Sequence, residues 1–344
     1  MQVFFDEAQM RHNPPTFLVA GTPRPCPEKP ERAARLSAAV RAAGHDVHAP
    51  PNVGIAPAAC VHTPEYLEFL KVAHEQWLAI DGASDVVIPN IHPRERDGRY
   101  PASIVARAGY HMMDTACPIG AHTYEAVIAS LSAAVAATDH VMETGDPAYA
   151  LCRPPGHHAY SEASGGFCFV NNSAVAAQRL RTAHERVVVI DVDLHHGNGT
   201  QGIFYERADV MTVSVHCDPI KFYPFFWGHA DERGAGPGLG YNLNIPLPRG
   251  SGDDVFLAAL ESALERVAAF APGAMVVALG LDASEQDPFG GLTVTTDGFR
   301  RIGAALGAFS KAHGLASVLV QEGGYLCDAL GDNLVATLAG YEGA

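Results

Sequence analysis

The chain has 344 residues, with 23 Lys and Arg against 38 Asp and Glu and a formal charge of −15, a balance that argues against a nucleic-acid or anionic-membrane surface. Hydrophobic residues at 48% and charged residues at 18%, with 34 glycines and 24 prolines, fit a globular protein with a large core and exclude a low-complexity chain. No run approaches the roughly 18 apolar residues of a membrane span, and the opening MQVFFDEAQM lacks the marks of a secretory signal, so a cytoplasmic protein without membrane or nucleic-acid partners is expected.

A short apolar run at 2–5 opens the chain, followed by Ala- and Leu-rich stretches of helical spacing at 31–43 and 64–77. Residues 80–102 are irregular and mixed in charge, so they read as a long loop insertion, a candidate lid or interface element. A helix is expected at 124–143, a strand at 149–152, a helix at 171–184, strands at 187–192 and 211–216, a helix at 253–270, a strand at 275–281, a helix at 297–313 and a strand at 317–321. Short β-branched runs alternating with helices predict an α/β fold in which a mostly parallel central sheet is flanked by helices. Polar groups at the ends of five strands favour one domain, 1–344, over two. Seven scattered cysteines without a C-x-x-C pair read as mostly buried thiols.

Ligands of such sheets bind beyond the carboxyl ends of the strands, and several of these ends carry chemistry. Asp193 and His195, two apart at a strand end, point to one face, and Asp282 at another strand end supplies a third ligand. By itself D-x-H is also a turn or capping pattern. One imidazole and two carboxylates leave a position open on zinc for water or substrate. His157 and His158 follow Pro-Pro-Gly, and paired imidazoles in a tight turn need partners if buried. Asp191 and Asn198 are candidates to accept their ring N–H bonds, and a carboxylate raises one histidine's basicity more than an amide raises the other's. In Glu322-Gly-Gly-Tyr325 the glycines allow a tight turn that brings a phenol near the metal, suited to an oxyanion.

The ordered motifs R-P-P-G-H-H, G-G-F-C-F-x-N-N, D-V-D-x-H-H-G-N-G-T, a G-x-D strand end and E-G-G-Y, spread from about Arg32 to Tyr325, resemble the histone deacetylase superfamily with its arginase-like fold. Within it the sequence looks most like the bacterial acetylpolyamine amidohydrolases, given Asn198 after H-H-G, Glu285-Gln-Asp-Pro288 after Asp282, and residues 80–102, similar to the insertion by which those enzymes dimerise and narrow their entrance. The resemblance implies Asp193, His195 and Asp282 as ligands of one zinc ion, for which Fe2+ can substitute in the cell. It implies His158 as general base and acid, His157 as its electrostatic partner and Tyr325 as the phenol that binds the substrate carbonyl. Gly166, Phe167, Tyr223 and Phe289 fall at the substrate tunnel. Asp191, Asp193, His195, Ser214 and Val215 match one K+ or Na+ site, and Phe204, Arg207, Val210 and Tyr241 a second.

The departures are informative. Gly197 and Ser284 stand where arginases carry extra carboxylates, against a binuclear centre, and Val105 and Ala116 stand where acetylpolyamine amidohydrolases place entrance glutamates. Phe289 likewise replaces a glutamate of the polyamine-selective relatives in higher organisms. The expected activity is zinc-dependent hydrolysis of the acetyl or short acyl amide of a small amine such as an acetylpolyamine, by a homodimer. The alternatives are a protein lysine deacylase, a hydrolase of neutral small amides, and a non-catalytic binder of the same fold.

Overall fold

The computed structural model describes residues 1–96 and 98–344, so Asp97 of the expected insertion lies outside the described residues. The chain runs through β1 (Gln2–Phe4), an antiparallel hairpin of β2 (Thr16–Val19) and β3 (Thr22–Pro25), α1 (Pro30–Ala42), β4 (Asp46–His48), α2 (Pro64–Leu78), α3 (Ile104–His111), α4 (Thr123–Thr144) and β5 (Ala148–Ala150). It continues with α5 (Asn172–Leu180), β6 (Val187–Asp191), α6 (Asn198–Phe204), β7 (Val210–Cys217), β8 (Asn242–Leu247), α7 (Asp253–Phe270), β9 (Ala274–Leu279), α8 (Thr296–His313), β10 (Ala316–Gln321) and α9 (Leu330–Glu342). Eight strands form one sheet in the order β4-β1-β5-β10-β9-β6-β7-β8. Every neighbouring pair is parallel. No helix of the described residues is long and apolar enough to cross a membrane.

Both faces of the sheet are covered, which is why its central strands are continuous apolar runs rather than alternating ones. Val187, Val189, Val276 and Val318 point to a core shared with Tyr66 of α2, Leu131 of α4 and Val175 of α5. Their chain neighbours Val188, Ile190, Val277 and Leu319 point to the opposite core, with Leu36 of α1, Phe256 of α7, Leu306 of α8 and Leu334 of α9.

The expected central strands are present within one or two residues. The helix expected at 171–184 ends at Leu180, because Thr182 and Ala183 turn back onto the carbonyls of Arg179 and Leu180. Not anticipated were β4 and β8 at the two sheet edges, the β2–β3 hairpin, α3, α6 and α9. The edge strands read as D-V-H and N-L-N-I-P-L, too polar for the doubly buried pattern.

Among the described residues of 80–102 there is no helix or strand, only the bridge between Val87 and Ile119. The segment folds back onto its own chain. His92 Nδ1 donates to the Gly109 carbonyl (3.1 Å), Arg96 pairs with Glu162 (2.7 Å), and Tyr100 Oη lies 2.9 Å from His111 Nε2.

Helices α8 and α9 pack backbone to backbone through small residues. A Cβ at Gly307 would run into the Tyr341 carbonyl and one at Gly303 into that of Thr337. Gly307→Ala is therefore expected to lower unfolding free energy by about 1–3 kcal/mol, the usual scale of overpacking, without changing metal content. Urea unfolding measures the first and metal analysis the second. A variant as stable as the parent would contradict the close approach.

Candidate active site

Five adjacent strands deliver the chemistry to one edge of the sheet. In sheet order, β5 leads to His157 and His158, β10 to Tyr325, β9 to Asp282, β6 to Asp193 and His195, and β7 to Phe222 and Tyr223. A crevice outside the carboxyl ends is where open parallel sheets bind ligands.

Asp193, His195 and Asp282 are buried with their donor atoms within 4.8 Å of one another. His195 Nδ1 lies 3.3 Å from Asp193 Oδ1 and 3.0 Å from Asp282 Oδ2. Bonds of about 2.0–2.1 Å to a tetrahedral zinc place neighbouring ligand atoms about 3.3–3.4 Å apart, so the corner fits such an ion. Backbone donors orient the carboxylates. Leu194 N–H reaches Asp282 Oδ1 (3.0 Å), Gly323 N–H reaches Asp193 Oδ2 (2.7 Å), and His195 N–H reaches Asp193 Oδ1 (2.8 Å). Burial and the adjacent Asp193 charge push the Asp282 carboxyl up. Against the same burial, the charges of His157 and His195 hold Asp193 well below the usual carboxylate range. Such a strained pair is relieved by a cation.

Among the described residues the donor set offers no extra carboxylates for a second ion. A Cβ at Gly197 would collide with Asp191 Oδ2, leaving no room for a further carboxylate there, and Ser284 Oγ is engaged by the Gln286 N–H (3.2 Å). His157, Cys168 and Glu322 also converge, within a hydrogen-bonded cluster. His157 Nδ1 bonds Asp191, Glu322 Oε2 accepts from Gly156 N–H and His157 N–H, and Glu322 Oε1 accepts from Ser173 Oγ. Burial keeps the Cys168 thiol protonated, whereas a metal takes the thiolate.

The tandem histidines have unequal partners. His157 Nδ1 donates to Asp191 Oδ2 (2.9 Å); burial opposes its charge, but the Asp191 and Asp193 carboxylates prevail and raise its pKa to about 10. His158 Nδ1 donates to Asn198 Oδ1 (2.7 Å), and burial together with the neighbouring charges of His157 and His195 drives its pKa well below the ordinary value. With Nδ1 carrying the proton, His158 Nε2 is a free base.

Tyr325 follows a turn whose backbone is gripped by buried charged groups. Arg32 donates to the carbonyls of Gly324 and Glu322 (2.8 Å for the latter), and its guanidinium carbon lies 4.8 Å over the Tyr325 ring. Asp193 and Asp287 accept from the Gly323 and Tyr325 N–H groups. A Cβ at Gly323 would strike the carboxylates of Asp282 and Asp193, so only glycine lets the turn come so close. Burial raises the Tyr325 phenol well above its ordinary pKa, keeping it a neutral donor.

Aromatic side chains wall the corner. Phe289 meets Tyr325 edge-on with centroids 4.6 Å apart, Phe167 does so at 5.9 Å, and Tyr223 stands over His158 at 4.9 Å. Asp114 Oδ2 ties two walls together, accepting from Tyr223 Oη (2.7 Å) and Gly166 N–H (3.0 Å). Of the two entrance positions, Ala116 packs against the cluster of Phe167 and Tyr325, whereas Val105 packs into the core under α2 and α4.

Of the expected cation ligands, Asp191 Oδ1 caps the Asp193 N–H (3.0 Å), and Ser214 Oγ lies 2.8 Å from His216 Nδ1 on β7 beside Val215. Phe204 ends α6, Val210 starts β7, and Arg207 between them donates its N–H to the Phe204 carbonyl. Tyr241 precedes β8, and its carbonyl accepts the Thr212 N–H. Sequence reading gave no role to Arg32, Asp287 or Phe222, whose ring stacks on His195 at 5.1 Å and 13°. Phe222 adjoins Tyr223 and Asp287 lies within E-Q-D-P; only these proximities to recognised residues could have flagged them.

The fold and site together define an α/β metal-site protein of the deacetylase type. The histone deacetylase domain model matches residues 26–341. An acetylpolyamine amidohydrolase of Burkholderia pseudomallei is 46% identical over 99% of this chain and 98% of its own, and one of Mycoplana ramosa 39% identical over the full length of both. The crystal structure of an acetylpolyamine aminohydrolase from Burkholderia pseudomallei superposes with a TM-score of 0.95 over 99% of this chain and 98% of that one, at 46% identity. The chain belongs to the histone deacetylase family.

The corner predicts one firmly held divalent ion per chain. Asp282→Ala is expected to lose metal and activity together, because two remaining ligands hold zinc weakly. Metal analysis of dialysed, zinc-reconstituted protein checks this, and two tightly bound ions per chain would overturn the mononuclear reading.

Proposed function

We propose that the chain is one deacetylase domain that hydrolyses the acetyl or short acyl amide of a small amine such as an acetylpolyamine. It is a hydrolase of linear amide bonds, as its membership of the family and its amidohydrolase relatives support. The observation that carries the mechanism is the convergence of a free His158 Nε2, a neutral Tyr325 phenol and the Asp193-His195-Asp282 corner at the foot of aromatic walls.

A zinc ion held by Asp193, His195 and Asp282 would polarise the amide carbonyl and acidify a water molecule. His158 Nε2 takes the proton of the attacking water. The Tyr325 hydroxyl donates to the carbonyl oxygen as negative charge develops there. His157, held positive by Asp191, adds a fixed charge beside the reaction and keeps His158 from being protonated beforehand. The proton on His158 then passes to the departing amine nitrogen. Phe167, Tyr223 and Phe289 exclude bulk water and admit a slender chain.

Neutral small amides are the second reading, favoured by Ala116 and Phe289 lying among aromatic rings where a carboxylate would have met a cation. The expected setting is the cytoplasm, supported by seven thiols without a disulfide among the described residues. We assign K+ or Na+ to the two sites named by resemblance, and a homodimer formed through residues 80–102, where Ile91 is 60% exposed.

Tyr325→Phe is expected to keep metal and fold but to lose roughly 10²–10³ in turnover, the scale of one oxyanion donor, with His158→Ala at least as damaging. Steady-state kinetics decide, and parental turnover in Tyr325→Phe would remove the phenol's role. A turnover screen across monoacetylated diamines, acetyl-lysine peptides and neutral amides is expected to favour small free amides. Light scattering is expected to give a dimer. A monomer that deacetylates histone peptides as fast as acetylated diamines would defeat both expectations.

A further inference from the structure

The carboxylate of Asp287 is buried beside the site, and neither metal binding nor proton transfer uses it. Its two oxygens are divided between two backbone donors. Oδ2 accepts from the Tyr325 N–H at 2.8 Å, and Oδ1 accepts from the Phe289 N–H at 2.9 Å. The side chains of those same two residues meet edge-on with centroids 4.6 Å apart. One carboxylate therefore joins the segment after β9 to the segment after β10 at the phenol and its facing wall.

A buried carboxylate is costly unless hydrogen bonds satisfy it, and a neutral amide of the same shape can accept from only one of these two donors. The opposite side of the turn is already fixed by Arg32, which holds the carbonyls of Glu322 and Gly324. The Tyr325 N–H is the handle on that residue's own backbone, and Asp287 holds it. An oxyanion donor works only if it is placed to within about half an ångström.

We infer that Asp287 is a positioning residue for the reaction, clamping the backbones of Tyr325 and Phe289 so that the phenol and the tunnel wall act as one rigid unit. The inference rests on the proposed role of Tyr325 at the substrate carbonyl.

The test is a double-mutant cycle of Asp287→Asn and Tyr325→Phe in the metal-loaded protein, with a monoacetylated diamine as substrate. Metal content and hydrogen exchange at the Tyr325 amide in the metal-free protein are measured beside it. Asp287→Asn is expected to keep its metal, to lower kcat roughly 10–100-fold with KM within about threefold, and to cost less than about threefold more in the Tyr325→Phe background. The Tyr325 amide is expected to exchange faster. Equal losses in both backgrounds, or unchanged exchange, would overturn the inference while leaving the phenol's role intact. A Tyr325→Phe variant as active as the parent would take down the reading and the inference together. If Asp287→Asn does not fold, Asp287→Glu carries the same cycle, since it keeps the charge and both acceptors but displaces them by one methylene.

Discussion

Burying the carboxylates of Asp193 and Asp282 against one imidazole nitrogen imposes the condition that the surrounding structure meets. Like charges at this separation inside a protein repel strongly unless donors and a cation compensate. The backbone supplies the donors, through the N–H groups of Leu194, His195 and Gly323. The glycine at 323 follows from the same condition, because any side chain there would displace the carboxylates. Parallel strands ending side by side make the arrangement possible, since adjacent β6 and β9 release Asp193 and Asp282 at one edge.

The asymmetry of the two histidines grows from that negative corner. Asp191 lies on the last position of β6 and holds the His157 proton, while Asn198 on the first turn of α6 offers His158 only a neutral oxygen. One ring is therefore biased toward the charged form and the other toward the neutral one, although they are chain neighbours with centroids 4.0 Å apart. A second charged network braces the turn from below. Glu28 pairs with both Arg32 and Arg153, and Arg153 holds the carbonyls of Gln9 and His12, so residues before the first helix of the sheet's flank support Tyr325 at the far end of the chain.

Aromatic walls stand beside the reacting groups. The positions lining the corner are aromatic or small, and the carboxylate on the wall, Asp114, is occupied in holding Tyr223 and Gly166 together. The insertion at 80–102 is anchored to its own chain through Arg96–Glu162 and His92, so its exposed side faces away from those anchors.

The sequence alone determined the parallel sheet, because strands buried on both faces must be apolar at every position, and it placed the candidate metal-binding and proton-transferring groups at strand ends, in D-x-H, P-P-G-H-H and E-G-G-Y, whose proposed roles come from the family resemblance of those motifs. Edge strands β4 and β8 escaped it, since half-exposed strands mix polar and apolar residues as loops do. Only the tertiary structure decided which of the two candidate partners each adjacent histidine takes, because those partners lie 34 and 40 residues away in the chain. The same holds for Asp287, Arg32 and Phe222: a carboxylate, a guanidinium and a ring become part of a site only when folding brings distant backbone donors, carbonyls and imidazoles within bonding distance of them.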